Sequence, residues 1–241
     1  MKTELLGVEV DTLTLKECVD TVGEYIANGA PHFVVTLNPE ISYRAWGDPQ
    51  LLAVLRRAQL VTPDGVGIVW ACKVKGDPVP ERVTGIDLMQ ALLARGAEKG
   101  WKVFLLGAAP GVAATAAQNI LTQYPGVQIV GVQHGYFQEE EETSIVEAIR
   151  QARPDLLFVA LGAPRQEQWI AAHQECLGVP VSIGVGGSFD VLSGKVTRVS
   201  PWLQKMGLEW LGRVLFHPSR WQRAFSLPKF VLLVLKNYKL R

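Results

Sequence analysis

The sequence predicts an α/β fold: a Rossmann-like, mostly parallel sheet flanked by helices, with a C-terminal basic helical appendage. Three observations carry this. Short apolar or β-branched runs alternate with helical patterns along the chain, the rhythm of a doubly wound domain. Several runs are almost wholly apolar, as in LLFVALG (Leu156–Gly162), the pattern of a strand buried on both faces. Glycine and proline follow the C-terminal ends of four of these runs, where ligands bind in open α/β sheets.

Taken in order, strands are expected at Phe33–Leu37, Leu60–Thr62, Val103–Gly107, Gln128–Val132, Leu156–Leu161 and Val181–Val185. The segments between them are longer and read as helices: Leu15–Asn28, Pro49–Ala58, Gly85–Lys99, Gly111–Tyr124, Glu139–Ala152 and Pro164–Leu177. The acidic run Glu139–Glu142 suits the start of a helix, where carboxylates meet the positive end of the dipole, and reads as a solvated face.

A hydrophobic content of 48% against 20% charged residues fits a folded core and excludes whole-chain disorder. The net charge of +1 conceals an asymmetry. Residues Lys195–Arg241 hold ten Lys/Arg and one acid, Glu209, a charge of +9 that leaves −8 on the rest. The shift near Gly194 is the one boundary in the chain, giving an α/β unit over 1–194 and an appendage over 195–241. Cys18, Cys72 and Cys176 are far apart and form no metal or disulfide pattern. The N-terminus has no apolar leader, and the apolar run Phe230–Leu235 is too short to span a bilayer. A cytoplasmic protein, peripheral on the inner face of the cell membrane, is the expectation.

The four turns are TPDGVG, GAAPG, LGAPRQE and GVGGSFD. Gly107, Ala108, Gly162, Gly186 and Gly187 within them let backbone N–H groups approach a phosphate, or serve only tight strand–helix turns. The dinucleotide fingerprint GxGxxG is absent, which counts against a nicotinamide-dependent oxidoreductase.

Seven blocks then fall in order: TLNPE (Thr36–Glu40), TPDGVGIV (Thr62–Val69), ERVTGIDLM (Glu81–Met89), LGAPRQE (Leu161–Glu167), GVGGSFD (Gly184–Asp190), GLEWLGR (Gly207–Arg213) and LPKF (Leu227–Phe230). With these, the chain resembles the WecG/TagA/CpsF family of bacterial glycosyltransferases from about Leu5 to about Phe230. The resemblance implies an inverting transfer of N-acetylmannosamine, or its uronic acid, from a UDP donor. The acceptor it implies is undecaprenyl-diphosphate-linked N-acetylglucosamine, in teichoic acid-type cell-surface polymer synthesis.

Such a transfer needs a base for the acceptor hydroxyl and charge neutralisation for the leaving diphosphate. Asp64, after a strand in Pro63-Asp64-Gly65, is the candidate base; the other reading is a helix cap, and the resemblance favours the base. Thr36 and Asn38 offer a hydroxyl and an amide to the sugar, or form an ordinary turn. Arg82 is placed to meet a diphosphate or sugar oxygen, or to pair with Glu81. Gln166 is expected on the first turn of a helix, bonded to the sugar; Arg165 beside it meets ligand or solvent. Tyr136 stacks on uracil or packs in the core, and Asp190 binds the nucleoside or caps a helix. His134 reads as structural or solvent-facing. No Asp-x-Asp occurs, so neither metal nor other cofactor is expected.

In the appendage, Trp202, Trp210 and Trp221 stand among the basic residues, a composition suited to an anionic membrane surface. Arg213, Arg220 and Arg223 are candidates for the acceptor or donor diphosphate. Packing on the main domain, or a homodimer seam, is the competing reading. No nucleic-acid module is present, so nucleic acid is not an expected partner. A non-catalytic, membrane-docked nucleotide-sugar sensor is the alternative function.

Overall fold

The computed structural model describes residues 1–198 and 226–238. Six parallel strands form its main sheet: β3 (His32–Leu37), β4 (Leu60–Pro63), β5 (Lys102–Gly107), β6 (Gln128–Gln133), β7 (Leu156–Ala160) and β8 (Val181–Gly184). Their spatial order is β4-β3-β8-β7-β5-β6. The chain winds outward from β3 to β4 at one edge and from β5 to β6 at the other, while β7 and β8 fill the middle. All five pairings are parallel, as the apolar runs require.

Alternate residues of each strand enter opposite cores. Phe33, Val35, Leu37, Leu157 and Val159 face one side. Val34, Leu156, Phe158, Val181 and Ile183 face the other. The first core is covered by α2 (Pro39–Gly47), α3 (Pro49–Arg56), α4 (Val66–Lys75), α7 (Glu139–Ala152) and α8 (Arg165–Leu177). The second lies under α1 (Leu15–Asn28), α5 (Gly85–Lys99), α6 (Val112–Gln123) and the short α9 (Ser188–Leu192). The expected α/β sandwich of helices around a parallel sheet is therefore what the chain forms.

The capping chemistry explains several helix starts. Thr14 and Glu17 make a capping box on α1, and Gln138 and Glu141 make one on α7. Thr84 caps α5, and Asp48 caps α3 by accepting from Gln50 and Leu51 N–H groups. The expected helices at Leu15–Asn28, Gly85–Lys99 and Glu139–Ala152 match their observed limits.

Three features were not expected from the sequence. An antiparallel hairpin, β1 (Lys2–Leu5) and β2 (Val8–Asp11), turns at Leu6 and Gly7, which both have positive φ. Helices α2 and α4 follow β3 and β4 directly. Helix α9 follows the GVGG turn. The expected C-terminal helix is present: α10 (Ser226–Asn237) lies on α2 and α4, with Phe230 and Val234 fully buried in the same core as the hairpin. Tyr238 Oη accepts the Leu6 N–H at 2.8 Å, tying that end back to the N-terminal turn. No helix among the described residues is long and apolar enough to cross a membrane.

Candidate active site

A cleft of about 880 Å³ opens along the C-terminal ends of the parallel strands. That volume suits a ligand of nucleotide-sugar size. Each strand of the sheet delivers part of its lining. Asp64 follows β4, Thr36 and Asn38 come from the end of β3, and Glu40 from the first turn of α2. Gly186 and Gly187 follow β8, and Gly162 to Gln166 follow β7. Ala108 and Ala109 follow β5, and Gly135 to Gln138 follow β6. Asp190 and Lys195 close the side formed by α9.

Asp64 is partly exposed in this cleft. Its backbone N–H donates to Leu37 O at 2.8 Å, extending the β3–β4 ladder by one residue. The N-cap of α4 is Gly65, with φ of 97°, and no side chain caps that helix. The capping role open to Asp64 in the sequence is therefore not the one it takes. Its Oδ2 accepts a long contact from Gly85 N–H at 3.4 Å, at the start of α5. Position and orientation are thus set by two helix starts, Gly65 and Gly85, flanking a strand end.

Thr36 is buried, and its hydroxyl donates to Gly184 O at 3.0 Å across the β3–β8 boundary. Gly85 packs against it so closely that a β-carbon there would stand 3.2 Å from Thr36 Oγ1. Asn38 caps α2, its Oδ1 accepting from Ile41 N–H at 3.1 Å. Its amide nitrogen is the part of the side chain left to a ligand. Gln166 is 3% exposed, and both ends of its amide are engaged: Oε1 accepts from Gly186 N–H at 3.1 Å, and Nε2 donates to Glu167 Oε1 at 2.8 Å. Arg82 lies outside the cleft lining, two residues before the Thr84 cap, where its charge bears on Asp87.

The glycine turns divide into two kinds. Gly107 has a φ of 133°, and a β-carbon there would fall 2.5 Å from Ala160 C and O. It serves the close approach of β5 to β7 and does not itself line the cleft. Ala108, with a φ of 58°, does line it; its N–H donates to Ala160 O and its carbonyl accepts from Gly135 N–H. Gly162, Gly186 and Gly187 also line the cleft, and nothing stands within 4 Å of a β-carbon built on Gly162 or Gly186. Gly107 is a tight strand contact; Gly162 and Gly186 leave open space for a ligand to approach the backbone.

Tyr136 is 72% exposed on the cleft rim, so it is not a core residue. Its neighbour Phe137 is buried and carries the Arg165 guanidinium 5.0 Å from its ring centre. Arg165 Nη1 donates to Gly135 O at 3.3 Å. Asp190 sits in the first turn of α9, whose N-cap is Gly187, and pairs with Lys195 at 3.9 Å. His134 is partly buried, with Nδ1 shut off from solvent. Arg213, Arg220 and Arg223 fall outside the described residues, as do Trp202, Trp210 and Trp221.

The sequence reading passed over Glu40, Phe137, Lys195 and Glu167. Glu40 pairs with Arg44 at 2.8 Å one turn along α2. Glu167 is 1% exposed, and burial pushes its carboxyl up to about 7, against the lowering effect of the Gln166 amide and its own backbone N–H. Among the described residues, no group of three or more His, Cys, Asp or Glu is placed to hold a metal ion.

This arrangement presents a carboxylate at one end of a glycine-rich cleft and two cations, Arg165 and Lys195, further along it. A family model, glycosyl transferase WecG/TagA/CpsF family, matches residues 3–241. The chain belongs to this family.

Curated relatives in the WecG/TagA/CpsF family run through nearly the whole chain. One from Bacillus spizizenii is 39% identical over 213 residues, 88% of this chain and 82% of the relative. One from Bacillus subtilis strain 168 is 37% identical, covering 89% and 83% respectively. One from Staphylococcus aureus is 34% identical over 237 residues, 98% and 92%. All three are named N-acetylglucosaminyldiphosphoundecaprenol N-acetyl-beta-D-mannosaminyltransferase.

Proposed function

We propose that the chain transfers N-acetylmannosamine, or its uronic acid, from UDP to undecaprenyl-diphosphate-linked N-acetylglucosamine, with inversion at the anomeric carbon. The names of its relatives support the acceptor class and the sugar. The observation that carries the mechanism is Asp64: a cleft-lining carboxylate at the end of β4 that is not used to cap the adjacent helix.

In this reading the acceptor hydroxyl attacks the anomeric carbon from the face opposite UDP. A bond forms between that oxygen and the carbon, the bond from the carbon to the diphosphate oxygen breaks, and its electron pair leaves with UDP. Asp64 takes the hydroxyl proton as attack proceeds, a contribution of about 10²–10⁴-fold for a positioned base. Thr36 and Gln166 hold the walls of the sugar subsite through Gly184 and Gly186, and the Asn38 amide reaches the sugar. Tyr136 stacks on uracil and Asp190 accepts from the nucleoside. Ala108, Gly162, Gly186 and Gly187 let backbone approach the diphosphate, with Gly107 shaping the turn beneath.

The reaction is proposed to need no metal, because the sequence lacks an Asp-x-Asp clamp and positive charge comes from arginines. Arg213, Arg220 and Arg223 are proposed to meet a diphosphate, and Arg82 a sugar or phosphate oxygen. The basic C-terminal segment is proposed to hold the enzyme on an anionic membrane surface, on the inner face of the cell membrane, with a homodimer as an additional arrangement.

The test is UDP release from UDP-N-acetylmannosamine, with and without a short-chain lipid-diphosphate-N-acetylglucosamine. Acceptor-dependent release that falls at least 100-fold in Asp64→Asn, with an unchanged melting curve, is the expected result. Release that needs no acceptor, or survives Asp64→Asn, removes the mechanism. Loss of activity in EDTA that Mg²⁺ or Mn²⁺ restores removes the metal-independent reading.

A further inference from the structure

Glu167 is a carboxyl buried to 1% exposure and bonded to the cleft-lining Gln166, and the transfer mechanism gives it no role. One of its oxygens, Oε1, accepts from Gln166 Nε2 at 2.8 Å. The other, Oε2, is buried with no hydrogen-bond partner among the described residues. A group so costly to bury, in the first turn of α8, calls for a reason.

The reason lies in what Gln166 does. An amide side chain has two ends of nearly equal size, and only its partners decide which end points where. Here the Gly186 N–H is a donor and demands the amide oxygen; that bond is 3.1 Å. The Glu167 carboxyl offers an acceptor and demands the amide nitrogen. The two requirements agree, so the Gln166 amide is held in one orientation. It is also wedged over the end of β8: a β-carbon on Gly184 would stand 2.6 Å from Gln166 Nε2. Gly184 in turn receives the Thr36 hydroxyl on its carbonyl at 3.0 Å. The result is a chain of contacts from Glu167 through Gln166 to the Gly186–Gly187 turn, which lines the cleft and follows a β8 whose other neighbour carries Thr36.

We infer that Glu167 is a positioning residue for donor binding: it fixes the Gln166 amide so that Gln166 Oε1 holds the Gly186–Gly187 turn in its ligand-ready form. This rests on the reading of the cleft as a UDP-sugar site. Gly186, at φ of 54°, has no side chain to hold it in place, so the hydrogen bond from its N–H is its restraint. Without the acceptor at Glu167, the Gln166 amide is held by the Gly186 N–H alone, and its side chain can swing away from that donor and leave the turn unrestrained.

Two variants separate this role from mere filling of the core. Glu167→Met keeps the volume and removes the acceptor. Glu167→Gln keeps an acceptor oxygen for Gln166 Nε2. Three quantities are measured on the full chain: hydrogen-exchange protection of the Gly186 amide, UDP affinity by calorimetry, and kcat and KM for the UDP-sugar. In Glu167→Met, Gly186 protection is expected to fall at least 10-fold. UDP binding and KM for the donor weaken about 10-fold, with kcat within 3-fold of the parent. Glu167→Gln is expected to restore all three to within about 3-fold, and it also reports the role if Glu167→Met does not fold. Unchanged Gly186 protection in Glu167→Met overturns the inference. So does lost protection with unchanged UDP affinity, or a Glu167→Gln variant that binds UDP as weakly as a Met variant. Failure of the unsubstituted chain to bind UDP is a different result: it overturns the donor reading itself, and the inference with it.

Discussion

The buried Glu167 carboxyl makes a prediction about stability that does not depend on the reaction. Burial pushes its pKa up from an ordinary 4.5 to about 7 in the folded chain. Between those two values the folded protein keeps a proton that the unfolded chain releases. Stability therefore falls as pH rises through this window, and is fullest below about 4.5. At about 1.4 kcal/mol per pKa unit, the loss on going from pH 4.5 to above pH 7 is about 3 kcal/mol. Glu167→Gln has no proton to lose, so it should lack this component. For a chain of this length, about 2–4 °C of melting temperature accompanies each kcal/mol. Between pH 5 and pH 8 about 2.5 kcal/mol of that loss falls, so relative to the parent Glu167→Gln should gain roughly 5–10 °C over this range. Asp11, also raised by burial, acts in the same direction in both proteins and cancels in the difference. Melting curves of the two proteins at pH 5, 6, 7 and 8 provide the measurement. Parallel curves with a constant offset would mean that the carboxyl is ionised inside the fold, and would refute the reasoning.

Three further outcomes are expected. Gly107→Ala drives a β-carbon to within 2.5 Å of the Ala160 backbone at a φ that side chains avoid, and should cost about 3 kcal/mol or more; Gly111→Ala, with positive φ but open space, should cost about 1 kcal/mol in the same urea titration. Arg198→Met removes a 2.6 Å ion pair with the half-buried Asp87. Burial works to raise the Asp87 pKa, yet the Arg198 and Thr84 hydrogen bonds outweigh it and hold the group below its ordinary value. Its contribution is thus present above about pH 4 and lost as pH falls further; the variant should be about 1–3 kcal/mol less stable at pH 7, a gap that closes in acid. Tyr136→Ala should weaken UDP by roughly 5- to 20-fold, as expected for loss of a stacked base, and leave the melting temperature within about 1 °C because the side chain is exposed. Equal affinity of parent and variant in calorimetry would move the uracil elsewhere.

The sheet was legible because its strands are apolar on both faces, and a period of two carries both cores at once. Asp64 was legible for a related reason: Pro63 and Gly65 mark a strand end, and strand ends are where such folds hold ligands. Whether it capped a helix was not legible, because that depended on Gly65 taking a φ of 97°. Glu167 was hidden for the opposite reason. An acid in a helix's first turn is ordinarily a solvated partner of the dipole, and nothing local distinguishes it from Glu139–Glu142. Its burial is decided by what packs over α8. The hairpin at Leu6–Gly7 had a signal, alternating buried residues around a glycine, within a segment read only for the absence of a leader. Phe230 and Val234 have the spacing of one helix face, but the sequence does not say that α2 and α4 receive it.

The order of the strands also orients the proposed donor. Asp64 follows β4, and Glu40 stands at the start of α2 after β3, at one end of the cleft. Arg165 comes from the β7 end and leans over Phe137, after β6, toward the other edge. With strands about 4.8 Å apart, β4 and β7 are separated by roughly 14 Å. A UDP-sugar laid with its nucleotide toward β7 and β6 keeps the diphosphate away from Glu40 and Asp64, and brings only the sugar to the carboxylate. The reverse orientation would bring two phosphates toward the Asp64 carboxylate, and like charges oppose binding. The Asp64 end, between the starts of α4 and α5, is the end proposed to receive the acceptor. There Arg198 meets Asp87 on α5, and Leu227 packs against Gly67 on α4. Among the described residues, Arg198 and Leu227, which bracket the basic segment in sequence, thus sit on either side of that end, as expected if its basic residues act on a lipid-linked substrate.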